Sequence, residues 1–301
     1  MTTSLDTIKK LVLKMKQELD AVASTNLQEN RKIFDRAGLI ATLPQNIRIE
    51  PIQLSPKFSA DWIKPEKNNS TEKQPLILFL HGGGFSVGSS ISHRPLCARI
   101  ADSSQCNILV VNYRLAPEHR YPVALEDALF SYQWLLKNYP GRSIIVMGDS
   151  AGGGLAMALL LLIKEKSFPM PAGAVGISAW LDLECTSASY QTNKEIDLLA
   201  SAEGLRFVGR GYANKKINKD PLVSPFYATD LSGLCPLLLQ VGGAETLLDE
   251  NKLFATQAKK YGVAVELQVW PHMVHVWHSL YGMVPEAAEA IDAIAAWVNK
   301  Q

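Results

Sequence analysis

The chain has 301 residues, 47% of them hydrophobic and 20% charged, which is enough apolar content to fill a large core and too much for a disordered polymer. With 30 basic residues against 29 acidic ones the formal net charge is +1, so no field of one sign recruits nucleic acid or an anionic membrane. Four cysteines, Cys97, Cys106, Cys185 and Cys235, form no C-x-x-C pair and no metal-ligand spacing, which predicts buried free thiols in a reducing compartment.

Lys9, Lys10, Lys14 and Lys16 interrupt the apolar residues of the N-terminal stretch, leaving no signal-peptide core, and the longest apolar run, 155–163, is far short of the ~20 residues that span a bilayer. The expectation is a soluble, cytoplasmic protein without integral membrane association. Ile8, Val12, Met15, Leu19 and Val22 recur at spacings of four and three, one apolar stripe of a helix. A second helix is predicted over 29–37, with Ile33 and Phe34, stopped by Gly38. Alternation over 47–54 and a short strand at 60–63 predict an antiparallel start to a sheet, followed by a turn at 65–70.

From residue 76 onward strand and helix alternate. Strands are predicted at 76–80, 108–111, 144–147, 174–177, 237–241 and 263–270, most of them apolar on both faces. Helices are predicted at 92–101, 123–136, 153–166, 250–261 and 286–298. Eight strands, mostly parallel and flanked by helices, give an α/β class. Residues 185–222 break the pattern, with helical stretches at 194–199 and 203–212, and read as an insertion on top of the sheet. The predicted organisation is N-terminal cap helices (1–44), a core in two parts (45–184 and 223–301) and a cap insertion (185–222).

Within 145–154 an apolar strand runs through Gly148-Asp149-Ser150-Ala151-Gly152 into a helix, the context of a nucleophile elbow. A serine hydroxyl is a weak nucleophile at neutral pH and needs a base, an orienting acid and donors for the oxyanion. His81-Gly82-Gly83-Gly84-Phe85 follows the strand 76–80, a loop whose backbone N–H groups can face an oxyanion together with that of Ala151. It lacks the lysine of a P-loop and the spacing of a dinucleotide fingerprint. His272, His275 and His278 follow the final strand, where a base is expected in the order Ser, acid, His. Their spacing of three also matches a metal site, but no H-E-x-x-H helix or carboxylate pattern supports zinc, and neither metal nor organic cofactor is expected. Glu245 stands nearest the carboxyl end of the strand 237–241 and is the candidate acid; Asp249 and Glu250 read as helix-terminal carboxylates.

These residues resemble the bacterial hormone-sensitive-lipase-like esterases of the α/β-hydrolase fold. The resemblance rests on His81-Gly82-Gly83-Gly84-Phe85, Tyr113-Arg114-Leu115-Ala116-Pro117-Glu118, Gly148-Asp149-Ser150-Ala151-Gly152-Gly153, Asp220-Pro221-Leu222-Val223-Ser224-Pro225, Glu245-Thr246-Leu247-Leu248-Asp249 and Met273-Val274-His275, in the family's order. It implies Ser150 as nucleophile, Glu245 as acid (aspartate in many members) and His275 as base, because the family's histidine follows a methionine and one apolar residue. It further implies Gly83 and Gly84 as oxyanion donors, with Gly82 shaping the turn, and residues 113–118 as a brace under the site, where Arg114 and Glu118 can pair. Where relatives often carry Gly-Phe after the histidine, this chain has Val276-Trp277.

The activity so implied is hydrolysis of short- to medium-chain acyl esters through an acyl-enzyme, with a small-molecule ester and water as partners. Phe34, Phe85, Trp180, Leu199, Phe207 and Trp277 are candidate pocket residues, each also a candidate for the core. The resemblance allows a homodimer. Two other readings stand beside it. One is a non-catalytic receptor, since plant gibberellin receptors resemble the same family but lack the catalytic histidine; the other is amide hydrolysis or acyl transfer by the same triad.

Overall fold

A strand covered on both faces can be apolar at every position, and all five residues of Leu76–Leu80 are buried. In the computed structural model, which describes residues 3–23, 25–39, 42–66, 74–214 and 218–301, this strand lies inside an eight-stranded sheet. In chain order the strands are β1 (Ile47–Ser55), β2 (Phe58–Pro65), β3 (Leu76–Leu80), β4 (Asn107–Val111), β5 (Ile144–Asp149), β6 (Gly173–Ile177), β7 (Leu237–Gly242) and β8 (Val265–Trp270). Across the sheet the order is β1-β2-β4-β3-β5-β6-β7-β8. The first two pairings are antiparallel and all later ones parallel.

The helices are α1 (Leu5–Val22), α2 (Leu27–Leu39), α3 (Ser90–Ser104), α4 (Val123–Asn138), α5 (Ser150–Glu165), α6 (Ser189–Thr192), α7 (Ala202–Tyr212), α8 (Leu248–Lys260) and α9 (Pro285–Val298). Because side chains alternate along a strand, Ile77 and Phe79 of β3 join a core with α3 and α9, while Leu76, Leu78 and Leu80 join a larger one with α4, α5 and α8. Residues 150–163 of α5 are all buried, so the apolar run at 155–163 belongs to a core helix. Among the described residues no helix is long and apolar enough to cross a membrane. All four cysteines are buried free thiols.

The docking place of the N-terminal stripe is seen only in the fold. Ile8 and Val12 of α1 are buried against Met273, Val274, Trp277 and the α9 residues Ala287 and Ala290. Val22 at the far end of the stripe is 55% exposed, and the side chain of Leu19 lies outside the described residues. Helix α2 packs on α3 and continues through Gly38 to Leu39, past the expected stop. From residue 67 the turn predicted at 65–70 lies outside the described residues.

One predicted helix is absent. Residues 194–199 form turns after the short α6, because the Asp197 carboxylate takes the backbone N–H groups of Leu199 and Ala200 (both 3.0 Å) and of Thr246 (2.8 Å). A short side chain that captures nearby backbone donors competes with the helical ladder, and here it also ties this segment to the loop after β7.

Candidate active site

The carboxyl ends of the parallel strands β3, β5, β6, β7 and β8 meet on one edge of the sheet, where open α/β sheets place their ligand sites. Ser150 follows directly on β5 and begins α5 with φ +52°, a left-handed conformation that costs a non-glycine residue about 1–2 kcal/mol. The turn is so tight that a Cβ on Gly148 would stand 2.3 Å from the Gly152 carbonyl oxygen, and one on Gly152 would stand 2.0 Å from that of Leu80. The two glycines of G-x-S-x-G are therefore there for space, and the serine between them is lifted off the sheet end.

His275, in the loop after β8, places Nε2 2.9 Å from Ser150 Oγ and Nδ1 3.1 Å from Glu245 Oε2. Glu245 follows β7 and is fully buried, and its other oxygen accepts hydrogen bonds from the Gly242 N–H (2.6 Å) and the Ser178 hydroxyl (2.7 Å). The three side chains thus form one hydrogen-bonded line from three strand ends. Burial pulls the His275 pKa down, but the hydrogen bond and charge of Glu245, with the charges of Asp197 and Asp149, outweigh it and hold the pKa above its ordinary value. A Cβ on Gly242 would stand 2.1 Å from the Met273 carbonyl oxygen, so the acid and histidine loops are in direct backbone contact.

The glycine loop after β3 approaches from the other side. Gly83 (φ +110°) and Gly84 (φ +61°) hold conformations that L side chains rarely adopt, and a Cβ on Gly83 would meet the Val87 carbonyl oxygen at 2.2 Å. Gly82 donates its N–H to Asp149 Oδ1 at 2.9 Å, and Asp149 is also within 3.3 Å of His93 Nε2. Burial pulls the His93 pKa down, but the Asp149 charge and hydrogen bond outweigh it and raise it. His81 stacks on Tyr113 with ring centroids 4.2 Å apart, and its backbone carbonyl accepts the Tyr113 hydroxyl at 2.7 Å. Burial, with the nearby His93, drives the His81 pKa to about 3, so its ring stays neutral and serves as packing.

The remaining expectations divide. Residues 113–116 do brace the glycine loop, through Tyr113 and through the Ala116 N–H on the Phe85 carbonyl (2.8 Å). The expected Arg114–Glu118 pair does not form: Arg114 binds the buried Asp127 of α4 at 2.6 Å, and Glu118 binds Arg31 of α2 at 2.7 Å. Asp127 wins because it also accepts the Arg114 backbone N–H (3.0 Å), a geometry open only to a carboxylate fixed beneath the loop. Glu250 is more than a helix-terminal charge. It is wholly buried and accepts the Leu181 N–H (2.6 Å) and the Tyr190 hydroxyl (2.7 Å). His278 is buried against Gln240 (2.7 Å) and His272 is exposed, so the three histidines spaced by three do not converge.

Among the candidate pocket residues, Trp277 is a core residue. It has no exposed surface, packs under α1, and donates its indole N–H to the Glu286 carbonyl. Trp180 is likewise fully buried, with Gly209 of α7 packed against its ring, and Phe85 stacks face to face on Tyr212 at 3.7 Å. Phe34 lies 6.3 Å from the His93 ring, on the α2–α3 side. Leu199 and Phe207 are 45% and 75% exposed, on either side of the start of α7. Sequence reasoning passed over Val208, whose methyl group would be 2.7 Å from a Cβ on Gly84, and Asp149, whose only signal is a charge inside an otherwise apolar strand.

Comparison with known proteins gives the family of the chain. A model of the α/β-hydrolase-fold family matches residues 77–279. An acetyl-hydrolase of Streptomyces hygroscopicus is 38% identical over 243 residues, covering 80% of this chain and 79% of that protein. An esterase of Acinetobacter venetianus is 37% identical over 292 residues, covering 95% and 93%. The crystal structure of an esterase from the bacterial hormone-sensitive lipase family superposes with a TM-score of 0.91 at 36% identity, covering 100% of this chain and 99% of that one. With Ser150 on its elbow, the glycine loop beside it and relatives of this kind along nearly the whole chain, the protein belongs to the bacterial hormone-sensitive-lipase family of α/β-hydrolase-fold esterases and is a carboxylic ester hydrolase.

Proposed function

We propose that the chain cleaves short- to medium-chain acyl esters in two acyl-transfer steps, with Ser150 as nucleophile, His275 as general base and acid, and Glu245 as the residue that orients the imidazole. The observation that carries this reading is the hydrogen-bonded line Glu245–His275–Ser150, at 3.1 and 2.9 Å. His275 takes the hydroxyl proton as Ser150 attacks the ester carbonyl, returns it to the leaving alkoxide, then activates the water that hydrolyses the acyl-enzyme. The carbonyl oxygen gathers negative charge opposite the amides of Gly83, Gly84 and Ala151. Among the described residues the first two have no acceptor, and the third stands in the first turn of α5, where helical N–H groups lack intrahelical partners.

Residues 1–44 and 185–222 act in this reading as a cap. Arg31 and Asp35 of α2 bond the loop 86–89, and Val208 of α7 overlies Gly84. Leu199 and Phe207 remain the proposed substrate contacts on the open side, with Phe85 and Trp180 supporting the wall from behind. The small-acyl preference draws on a relative named as an acetyl-hydrolase. A receptor without catalysis has no use for a base in register with a serine.

The test is turnover of p-nitrophenyl esters from acetate to palmitate. Ser150→Ala should lose at least about 10⁴-fold in kcat with an unchanged circular dichroism spectrum. Activity retained by that variant removes Ser150 from the mechanism, and a rate maximum at palmitate removes the proposed substrate class.

A further inference from the structure

The residue after the base stands in a conformation it should resist. Val276 has φ +48° and ψ +47°, the left-handed region, where a β-branched side chain is a steric outlier. Such a conformation persists only when its surroundings hold it. What holds it is a hydroxyl just past the end of β6: the Val276 N–H donates to Ser178 Oγ at 3.1 Å. The same hydroxyl donates its proton to Glu245 Oε1 at 2.7 Å. Ser178 has no exposed surface, sits at the end of β6 with φ +46°, and its own N–H is fixed on the Gln240 carbonyl at 2.7 Å. Two positions on, the Trp180 N–H donates to the Ser150 carbonyl at 2.9 Å, so this short loop also touches the elbow.

A serine hydroxyl has one proton to give and lone pairs to receive, and here both are used toward the reacting line. The proton goes to the acid and the lone pair to the backbone directly behind the base. We infer that Ser178 is a positioning residue for ester hydrolysis: its hydroxyl clamps the Glu245 carboxylate and the strained Val276 backbone together, and so sets the angle at which His275 faces Ser150. The inference rests on the proposed roles of Ser150, His275 and Glu245. The clamp matters because Val276, once released, relaxes toward the right-handed or extended regions and turns the His275 ring with it.

The decisive variant is Ser178→Gly. Glycine accepts φ +46° without strain, so the backbone at 178 loses nothing while the hydroxyl goes. The expected result is a fall in kcat of about 10- to 100-fold with KM changed less than about twofold, as for a misplaced catalytic group. The acidic limb of the kcat/KM profile should move to lower pH, because His275 is less well held against Glu245, while the charges of Asp197 and Asp149 that also face it are unchanged. Ser178→Thr keeps the hydroxyl but adds a β-branch at a left-handed position, so it should be less stable and yet keep the wild-type limb. Ser131→Ala on α4 removes another buried hydroxyl, bonded to the Asp127 carbonyl, and should leave both rate and limb unchanged. A folded Ser178→Gly enzyme with wild-type kcat, or with an unmoved or raised limb, overturns the inference. So does a Ser178→Gly chain that fails to fold, since the residue is then structural. If the wild type itself turns over no ester, the proposed function falls instead.

Discussion

Protonation and burial of single side chains set the first expectations. As the proposed base His275 must be neutral, and its pKa is held above the ordinary 6.5 against the pull of burial. The rate should therefore rise through a pKa above 6.5 on the acid side, read from kcat/KM between pH 5 and 9; a limb at or below 6.5 contradicts the geometry. His81 and His278 are both driven to about 3 by burial and so add nothing to that limb. Trp277 is the second case. Because it fills the core under α1 instead of the pocket, Trp277→Ala should cost about 3–5 kcal/mol in chemical denaturation, with KM for a short ester nearly unchanged in the fraction that folds. A variant of wild-type stability with altered KM would return Trp277 to the substrate. The aromatic type of residue 277 is visible in the sequence, but its direction is not, since one residue of backbone rotation separates a pocket wall from a core.

Helix α2 reaches the loops of the site through several side chains, and Arg31 makes the most of these contacts. Arg31 donates to the Ser86 carbonyl (2.8 Å) and the Ala116 carbonyl (2.9 Å) and pairs with Glu118, so it ties α2 to both loops beneath the glycines. Hydrogen bonds from a charged donor to otherwise unsatisfied carbonyls are the strong kind, and Arg31→Ala should lower stability by about 1–3 kcal/mol. Proteolysis should cut within 27–39 faster than in the wild type, and KM should rise more than kcat falls; unchanged protection of α2 would show that apolar packing on α3 suffices. Elements such as α3, α4, α5, α8 and α9 are legible from periodicity to within a few residues, because each buries an apolar face on the sheet. Residues 194–199 are not, because the Asp197 carboxylate that captures the Leu199 and Ala200 N–H groups is itself held in place by the Thr246 N–H, nearly fifty positions away. Local propensity cannot register a partner at that distance in the chain.

Across the whole molecule the buried carboxylates shape stability against pH. Burial, with Asp182 nearby, pushes the Glu250 pKa well above 4.5 despite the donors from Leu181 and Tyr190. The folded state thus keeps a proton that the unfolded chain releases above pH 4.5, so the stability linked to this group is complete below that pH and is lost as pH rises. Glu250→Gln removes the linkage. Its stability relative to the wild type should increase from pH 5 to pH 8 in urea denaturation, while a constant difference would mean that Glu250 is ionised in the fold. Glu250 bridges α8 to the segment after β6, so the same measurement reports how firmly the two parts of the sheet edge are joined.

The alternation of apolar strands and helices, the elbow around Ser150 and the glycines at 83 and 84 could be read from the sequence alone, because each depends on backbone space or side-chain period within a few residues. The order of Ser150, Glu245 and His275 along the chain was equally open to reading. Their separations of 2.9 and 3.1 Å were not, being set by the parallel pairing of β5, β6, β7 and β8. The same holds for the choice of Asp127 over Glu118 by Arg114, for Asp149 under the glycine loop, and for Ser178 between the acid and Val276. In each case a short polar side chain takes whichever partner the sheet brings within hydrogen-bond reach, and that proximity exists only once the strands have paired.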